Sequence, residues 1–502
     1  MSIIKSFNVI FVVIFLFMFR EINCNGSPRV IIVGAGAAGI AAATRLVENN
    51  ITNVKILEAR NRIGGRIYSI KFGDAIVDLG AQWCYGENNI VYELAKDYNI
   101  LENGESMVTL YHSSHEEIDL ALVNELYEIF YSIYTEEVEG DEVSLGEYIT
   151  RRYNETVLAQ YGSNKEKLKF AFEFLRYFKK AILTFEGSFS IYDVAARSDF
   201  KKCEEKCGMH FKGNGYKRIL DIVMKKYPNP EEQLPVEEKI FLNKEVVKII
   251  WDKSEEFDEI PAVQCSDGTI YKADHIIFTP SVGVLKYNYG TLFEPSLPEE
   301  KIDAIKDIGI ASIFKVYLHF PIRWWPKRNF TDFSFLWVEK DRQLLLQEFL
   351  NGPKGHGMSW LLDLTAVHDT PENPNVLEAW FCGEFVPKIE KCSDKTIIDG
   401  VMFVLNKFVG FYFDNITRPD SIIRHNWYSD PHFRGSFSFQ TVESRKKRIS
   451  QEIMLSEPIL SSSGKQTLLF AGEATHKFLF STVNGAIETG FREADRIINF
   501  YK

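Results

Sequence analysis

The sequence of 502 residues is short of positive charge and of cysteine. Asp and Glu outnumber Lys and Arg by 69 to 58, which gives a formal net charge of -11. This balance argues against nucleic acid as a partner, because phosphate binding requires a basic surface. It is compatible with a cationic substrate, since an acidic cleft attracts cations. None of the seven cysteines forms a Cys-x-x-Cys pair, so no metal site is expected.

Long apolar runs are scarce as well, and the clearest one lies at the N-terminus. Lys5 precedes an unbroken apolar run from Val9 to Phe19, and Arg20 follows it. The run has the length of a signal peptide and is too short to span a bilayer. We therefore predict a signal peptide over residues 1–24, a secreted extracellular protein, and no stable membrane span after cleavage. The alternative is an anchoring helix that is never cleaved.

Two further patterns fit entry into the secretory pathway. Five N-x-S/T sequons offer glycan sites: Asn25, Asn50, Asn154, Asn329 and Asn415. Six cysteines follow the predicted signal, and Cys203–Cys207 and Cys382–Cys392 are close enough in sequence to pair. Spacing alone does not determine how they are connected.

A glycine-rich segment indicates a dinucleotide site. Gly34, Gly36 and Gly39 form a G-x-G-x-x-G motif between a predicted strand (29–33) and an Ala-rich helix (37–48), and a second strand (53–58) ends in Glu58. The three glycines permit a tight turn, close approach of a pyrophosphate, and close packing of helix on strand. The helix N-terminus would bind the pyrophosphate, and Glu58 the adenosine ribose hydroxyls.

Several later segments carry a resemblance to a known family. They occur in the order 62–66 (Arg-Ile-Gly-Gly-Arg), 80–83 (Gly-Ala-Gln-Trp), 243–249, 278–286, 470–475 and 482–486. With the glycine motif, they resemble the flavin-containing amine oxidases over most of residues 28–502. The sequence is most similar to the polyamine oxidase branch, of the spermine oxidase type.

The resemblance implies an α/β fold of two domains. A discontinuous Rossmann-like FAD-binding domain is expected over 28–107, 212–290 and 425–502. A substrate-binding domain of the α+β class, with a mixed sheet, is expected over 108–211 and 291–424. The oligomeric state is not indicated.

The same resemblance implies FAD as the cofactor. Monoamine oxidases of this family attach FAD through a cysteine near the chain end, and no cysteine follows Cys392, so the flavin is expected to be non-covalent. The expected cofactor-binding residues are Gly34, Ala35, Gly36, Ala38, Gly39, Glu58, Ala59, Arg60, Gly65, Arg66, Gly80, Ala81, Gln82, Trp83, Val246, Thr279, Trp427, Gly472, Glu473, Thr482 and Val483.

Lys315 is the expected catalytic residue. By spacing alone, a lysine on the alternating strand 313–320 would face solvent. The segment 314–318 instead resembles the one that carries the family's active-site lysine, which holds a water against flavin N5. The expected substrate-binding residues are Trp83, Tyr85, Glu186, Trp427, Tyr428, Phe437 and Thr482. Tyr85 departs from the family, whose members carry His or Glu there, and this leaves substrate choice open.

The expected reaction is oxidation of spermine, spermidine or an acetylated form with dioxygen as acceptor. An unprotonated secondary amine would lose hydride to flavin N5, and hydrolysis of the imine would give an aldehyde and a shorter amine, with hydrogen peroxide as the other product. One alternative is an L-amino-acid oxidase or other amine oxidase on the same scaffold, which for amino acids would need an arginine such as Arg434 in the pocket. Another is a catalytically silent flavin-binding protein.

Overall fold

A computed structural model describes residues 27–104, 107–140, 143–203, 208–252, 261–326, 331–347, 357–370 and 372–502. The predicted signal peptide, the sequons at Asn25 and Asn329, and Cys207 lie outside these residues. Within them the fold is a mixed α/β arrangement with several sheets.

The first six-stranded sheet draws its strands from the two ends and the middle of the chain. Its strands, in sheet order, are Ile459–Leu460, Gln466–Phe470, His275–Phe278, Val30–Val33, Val54–Leu57 and Ile240–Phe241. All neighbours are parallel except the first pair. The sequence Val-Ile-Ile-Val of Val30–Val33 is buried throughout, as expected for a parallel strand covered on both faces.

The second six-stranded sheet is mixed. In sheet order it contains Ser421–Arg424, Phe314–His319, Val376–Phe381, Leu364–Asp369, Thr331–Leu336 and Met107–His112. Neighbours are antiparallel except the last two strands, which run parallel. One face packs on the helix Asp394–Val409 in an apolar core that includes Phe314, Val316 and Leu318.

Four smaller sheets complete the strands. They are Ile270–Lys272 with Ala262–Cys265, Val246–Ile250 and Phe293–Glu294; Gly309–Ala311 with Phe437–Phe439; Ser69–Phe72 with Ala75–Asp78; and Trp83–Cys84 with Met209–Phe211 and Leu101–Asn103.

The α-helices cover both ends and the middle of the chain. They are Ala37–Glu48, Ile90–Ala95, Leu120–Thr135, Leu145–Tyr161, Lys165–Ala181, Leu183–Glu186, Arg218–Val223, Val282–Leu292, Glu299–Asp307, Glu339–Gln347, Val386–Ile389, Asp394–Val409, Val442–Arg445, Gln451–Ser456 and Val483–Tyr501. Short 3-10 helices lie at Lys96–Tyr98, Pro230–Glu232, Glu237–Lys239, Ser359–Asp363 and Glu473–Thr475. Among the residues that the structure describes, none of the helices is both long enough and apolar enough to cross a bilayer.

The strand–turn–helix–strand prediction is confirmed. The helix occupies Ala37–Glu48, and the flanking strands Val30–Val33 and Val54–Leu57 pair in parallel. The division into two domains stays a prediction, although the first sheet does combine strands from three distant parts of the chain. Of the two cysteine pairs considered, Cys382 and Cys392 are free, while Cys203 is disulfide-bonded.

Candidate active site

A cavity of about 1250 Å³ extends from the glycine-rich turn to one face of the second six-stranded sheet. Small-molecule pockets are usually roughly 300–1,000 Å³, so this cavity has room for a dinucleotide and a second ligand.

The glycine-rich turn forms one wall. Gly34 has a φ of +100°, and a Cβ on Gly39 would lie 2.0 Å from the Gly34 oxygen. Gly36 differs, because a Cβ there would meet only Gly65, at an ordinary 3.9 Å. Packing within the protein therefore does not require glycine at 36, and its missing side chain leaves space for a ligand. Gly36 is also the N-cap of Ala37–Glu48 without any side-chain cap, so the helix N-terminus is available to an anion.

Glu58 lies beside this turn and lines the cavity. Its carboxylate accepts hydrogen bonds from the backbone N–H groups of Ala35 and Arg60, both at 2.8 Å. A carboxylate has about four acceptor positions, so ribose hydroxyls can still donate to it. Ala35 and Gly39 are not among the residues that line the cavity; they shape the turn from behind.

The two predicted arginines are placed differently. Arg60 was expected to bind the cofactor, but its side chain forms an ion pair with Asp430 at 2.7 Å and lies outside the cavity lining. Arg66 lines the cavity and is held by Glu473 at 2.9 Å. Glu473 also accepts from Ser438 and from the Ser481 N–H. Glu473 therefore orients Arg66, whose remaining N–H groups can reach a ligand.

The structure brings most of the expected cofactor residues together on this cavity. Those on its lining are Gly34, Gly36, Ala38, Glu58, Ala59, Gly65, Arg66, Gly80, Ala81, Gln82, Trp83, Val246, Thr279, Trp427, Gly472, Glu473, Thr482 and Val483. A second helix, Val483–Tyr501, begins there with Thr482 as its N-cap. Its N-terminus gives the cavity a second site where negative charge is stabilised.

Lys315 lies on the far wall, on the strand Phe314–His319, and is 6% exposed. Its Nζ donates to the Asp78 backbone oxygen at 2.6 Å and to Gln82 Oε1 at 2.8 Å. Glu378 Oε1 is 3.3 Å away. The prediction from spacing alone, a solvent-facing lysine, is therefore wrong, because the cavity face of the sheet is buried and not a free surface.

Asp78 anchors the segment that Lys315 contacts. Its carboxyl accepts from the Tyr216 N–H and from the Ser69 hydroxyl. Burial raises the pKa of Asp78 to about 6, although the Ser69 bond and Lys315 oppose that shift. Tyr317 donates to the same Asp78 backbone oxygen at 2.8 Å. Two residues of one strand thus hold the segment beside the cavity.

Aromatic side chains line the space around Lys315. Of the predicted substrate residues, Trp83, Tyr85, Trp427 and Phe437 line the cavity. Tyr85 is 41% exposed, and its phenol is a hydrogen-bonding group and not a base near neutral pH. Tyr428 does not line the cavity. It is 38% exposed and packs edge-on against Phe189.

Glu186 lines the cavity at the end of the helix Leu183–Glu186. Tyr134 donates to its carboxylate at 2.7 Å. Burial raises the pKa of Glu186, and the Tyr134 bond and nearby Lys202 only partly offset it. The carboxyl group is thus placed where a cationic ligand would stabilise its ionised form.

Sequence reasoning missed several cavity residues on the sheet, among them Asp332, His368, Glu378 and Trp380. The signal that could have found Glu378 is its place in Val-Leu-Glu-Ala-Trp-Phe, a charged residue inside a buried strand. A charge at such a position is rare unless it has a partner.

A glycine turn, two helix N-termini at one cavity, and aromatic side chains on the same lining indicate a dinucleotide-binding protein with room for a second ligand. Comparisons with known proteins narrow this class. The family model described as flavin containing amine oxidoreductase matches residues 37–498, and the chain belongs to this family, as an FAD-dependent amine oxidase of the polyamine oxidase branch.

Relatives are similar over nearly the whole chain. The peroxisomal N(1)-acetyl-spermine/spermidine oxidases of Bos taurus and Homo sapiens are each 29% identical, covering 94% and 95% of this chain and 95% and 96% of their own. Probable polyamine oxidase 5 of Arabidopsis thaliana is 26% identical, covering 94% of this chain and 98% of its own.

The residues present fit FAD. The uncapped helix at Gly36 suits its pyrophosphate, and Glu58 suits its ribose. Among the described residues that line the cavity, the one cysteine is Cys203, which is disulfide-bonded. No free thiol is present among the described residues of the lining, and non-covalent binding of the flavin stays a prediction.

We predict that Gly36→Ala folds but binds FAD at least about tenfold more weakly, equivalent to about 1.4 kcal/mol. The added methyl group would occupy ligand space without clashing with the protein. FAD affinity is measured by titrating the apoprotein and following flavin fluorescence. The control is Gly290→Ala, where a Cβ meets nothing within 4 Å. Equal affinities of both variants would contradict a dinucleotide at this turn.

Proposed function

We propose that this enzyme oxidises polyamines such as spermine, spermidine or their acetylated forms. The observation that carries the proposal is Lys315, held by Asp78, Gln82 and Glu378 on the wall of an aromatic cavity that also meets the glycine-rich turn. The relatives named as acetyl-spermine/spermidine and polyamine oxidases support the same substrate class.

The chain's own groups suit this chemistry. Trp83, Trp427 and Phe437 would enclose an aliphatic chain and exclude water, and aromatic faces attract its cationic nitrogens. Lys315 would hold a water at the reacting end by hydrogen bonding. FAD, when bound, would supply the hydride acceptor at N5, and the two electrons would pass to dioxygen, which with two protons gives hydrogen peroxide. Water then hydrolyses the imine to an aldehyde and a shorter amine.

The alternative of an amino-acid oxidase is less well supported. Such an enzyme would need an arginine that clamps the substrate carboxylate. Arg434 packs over the Tyr287 ring, 3.4 Å from its centroid, and does not line the cavity. Arg66 is the one arginine on the described lining, and Glu473 already holds it. A silent flavin-binding protein would have no need of the buried Lys315 network.

We predict that the purified protein releases hydrogen peroxide with polyamines or acetylpolyamines, and much less with monoamines or amino acids. Carboxylates and aromatic rings line the cavity, whereas a free arginine is missing from its described lining. A coupled peroxidase assay over the four substrate classes gives the result. Oxidation of amino acids alone would favour the amino-acid oxidase. A flavin that no amine reduces under anaerobic conditions would favour a catalytically silent flavin-binding protein.

We predict that Lys315→Met slows flavin reduction by about 10²-fold, the size of a typical proton-transfer contribution, while FAD stays bound. Anaerobic stopped-flow absorbance measures the reduction. Because Glu378 would lose its counter-charge, a buried unpaired carboxylate is also expected to destabilise this variant. The matched controls are therefore Glu378→Gln alone and Lys315→Met combined with Glu378→Gln, in which no charge is left unpaired. Wild-type reduction rates in the double variant would remove the assigned role.

We also propose that the chain is secreted and glycosylated. The apolar run 9–19 and the sequons support this, and Asn50 and Asn415 are exposed. The disulfide at Cys203 supports an oxidising compartment, since such bonds are rare in the cytosol. The bovine and human relatives are named as peroxisomal, so the compartment would distinguish this chain from them.

We predict that insect cells expressing the full chain release it into the medium with N-linked glycans at Asn50 and Asn415. Treatment with an N-glycosidase should increase gel mobility, and Asn50→Gln and Asn415→Gln should each reduce that shift. Asn53→Gln, at an exposed asparagine outside any sequon, is the control. Unglycosylated protein retained inside the cells would contradict secretion.

A further inference from the structure

The cavity face of the second six-stranded sheet carries a row of polar side chains from four strands. Across the sheet, Asp332 pairs with His368, His368 with Glu378, and Glu378 with Tyr317. In the next row on the same face, Trp380 pairs with Lys315. Side chains two residues apart on a strand share a face. The positions of these residues therefore follow from strand register.

The charged members of this face form two pairs. Glu378 lies 3.3 Å from Lys315, and Asp332 Oδ1 is 2.7 Å from His368 Nδ1. The Trp380 ring lies between the pairs, with its centroid 5.4 Å from Lys315 Nζ and 5.6 Å from the His368 ring. The reaction proposed above uses Lys315 and Glu378. It gives no role to Asp332 and His368, which lie on the other side of the Trp380 ring.

His368 is arranged to meet a ligand. The Asp332 carboxylate accepts a hydrogen bond from the Nδ1–H group of His368. In the neutral ring the proton is therefore on Nδ1, and the lone pair of Nε2 is free to accept a hydrogen bond. In the described part of the chain Nε2 has no hydrogen-bond partner, and the side chain is 28% exposed to the cavity it lines.

The charges of this face specify the sign of the ligand. The charges of Lys315 and Glu378 cancel each other. When His368 is neutral, the carboxylate of Asp332 therefore leaves this face with one negative charge. Burial alone would lower the pKa of His368, but the Asp332 carboxylate outweighs it and raises that pKa. The position therefore stabilises a positive charge, and an ammonium group can supply one in place of the imidazole proton.

From these observations, and resting on the proposed function, we infer that His368 and Asp332 bind a second, free ammonium group of the substrate. An ammonium N–H donates to His368 Nε2, Asp332 provides the counter-charge through the ring, and Trp380 packs against the methylene chain between that nitrogen and the carbon oxidised near Lys315. This pair would favour diamines and polyamines whose remote nitrogen is unacetylated. An acetylated nitrogen carries no charge and gains nothing from Asp332.

The test uses FAD-loaded full-length protein and three probes: 1,8-diaminooctane, octylamine and N-acetyl-1,8-diaminooctane. They share one chain and differ only at the remote end. Dissociation constants come from anaerobic titration of the flavin spectrum and from calorimetry, so they do not depend on turnover. In Asp332→Asn we expect about a tenfold or greater loss of affinity for the diamine, the size of a charge-assisted hydrogen bond, and less than about a twofold change for octylamine.

His368→Gln provides a second variant with the same expected selectivity, and Asp97→Asn, at an exposed residue, is the matched control. Flavin absorbance and the thermal transition verify folding of each variant. Equal losses for diamine and octylamine would overturn the inference in favour of a structural pair. A selective loss for the acetylated probe would overturn it in favour of an amide-carbonyl site.

The same titrations separate this inference from the proposed function. A wild-type protein that binds none of the amines refutes both. A wild-type protein that oxidises polyamines, together with an Asp332→Asn variant of unchanged diamine affinity, refutes the second ammonium site alone.

Discussion

The burial of Lys315 is the constraint on which the cavity depends. A lysine side chain removed from water requires oxygen partners, because an unpaired charge in a low-dielectric site is costly. Here the partners come from two distant parts of the chain: Asp78 and Gln82 precede Lys315 by more than 200 residues, and Glu378 lies on the neighbouring strand. The contacts that satisfy Lys315 therefore also fasten the segment 78–82 to the sheet. Trp427 holds the other side of that segment by donating to the Leu79 oxygen at 2.9 Å.

The cofactor end was largely predictable because its determinants are local. The turn at Gly34–Gly39 and the helix Ala37–Glu48 lie within 15 residues of one another, and each glycine acts on its immediate surroundings. Arg60 shows where local reasoning stops. Arg60 was expected to bind the cofactor, but its side chain forms an ion pair with Asp430, 370 residues further on. No sequence pattern near Arg60 predicts that Asp430 is its partner.

The substrate end was much less predictable, since it is assembled from strands distant in sequence. Lys315 was identified by family resemblance and not by its spacing. Asp332 and His368 lie in strands whose sequences have no unusual pattern. Their contact depends on the register between these two strands, which the sequence does not reveal. Tyr428 was expected to line the cavity beside Trp427. Glu390 instead accepts from the Tyr428 N–H at 2.9 Å, and the ring packs on Phe189 outside the lining.

The second six-stranded sheet separates two environments that need opposite side chains. On one face, Phe314, Val316 and Leu318 belong to an apolar core with the helix Asp394–Val409. On the other, Lys315 and Glu378 are almost as buried, at 6% and 3% exposed, but polar. Buried ion pairs contribute little net stability, because desolvation offsets their attraction. If stability were the only requirement, both faces of this sheet would be apolar. The polar face is therefore best explained by what the cavity binds.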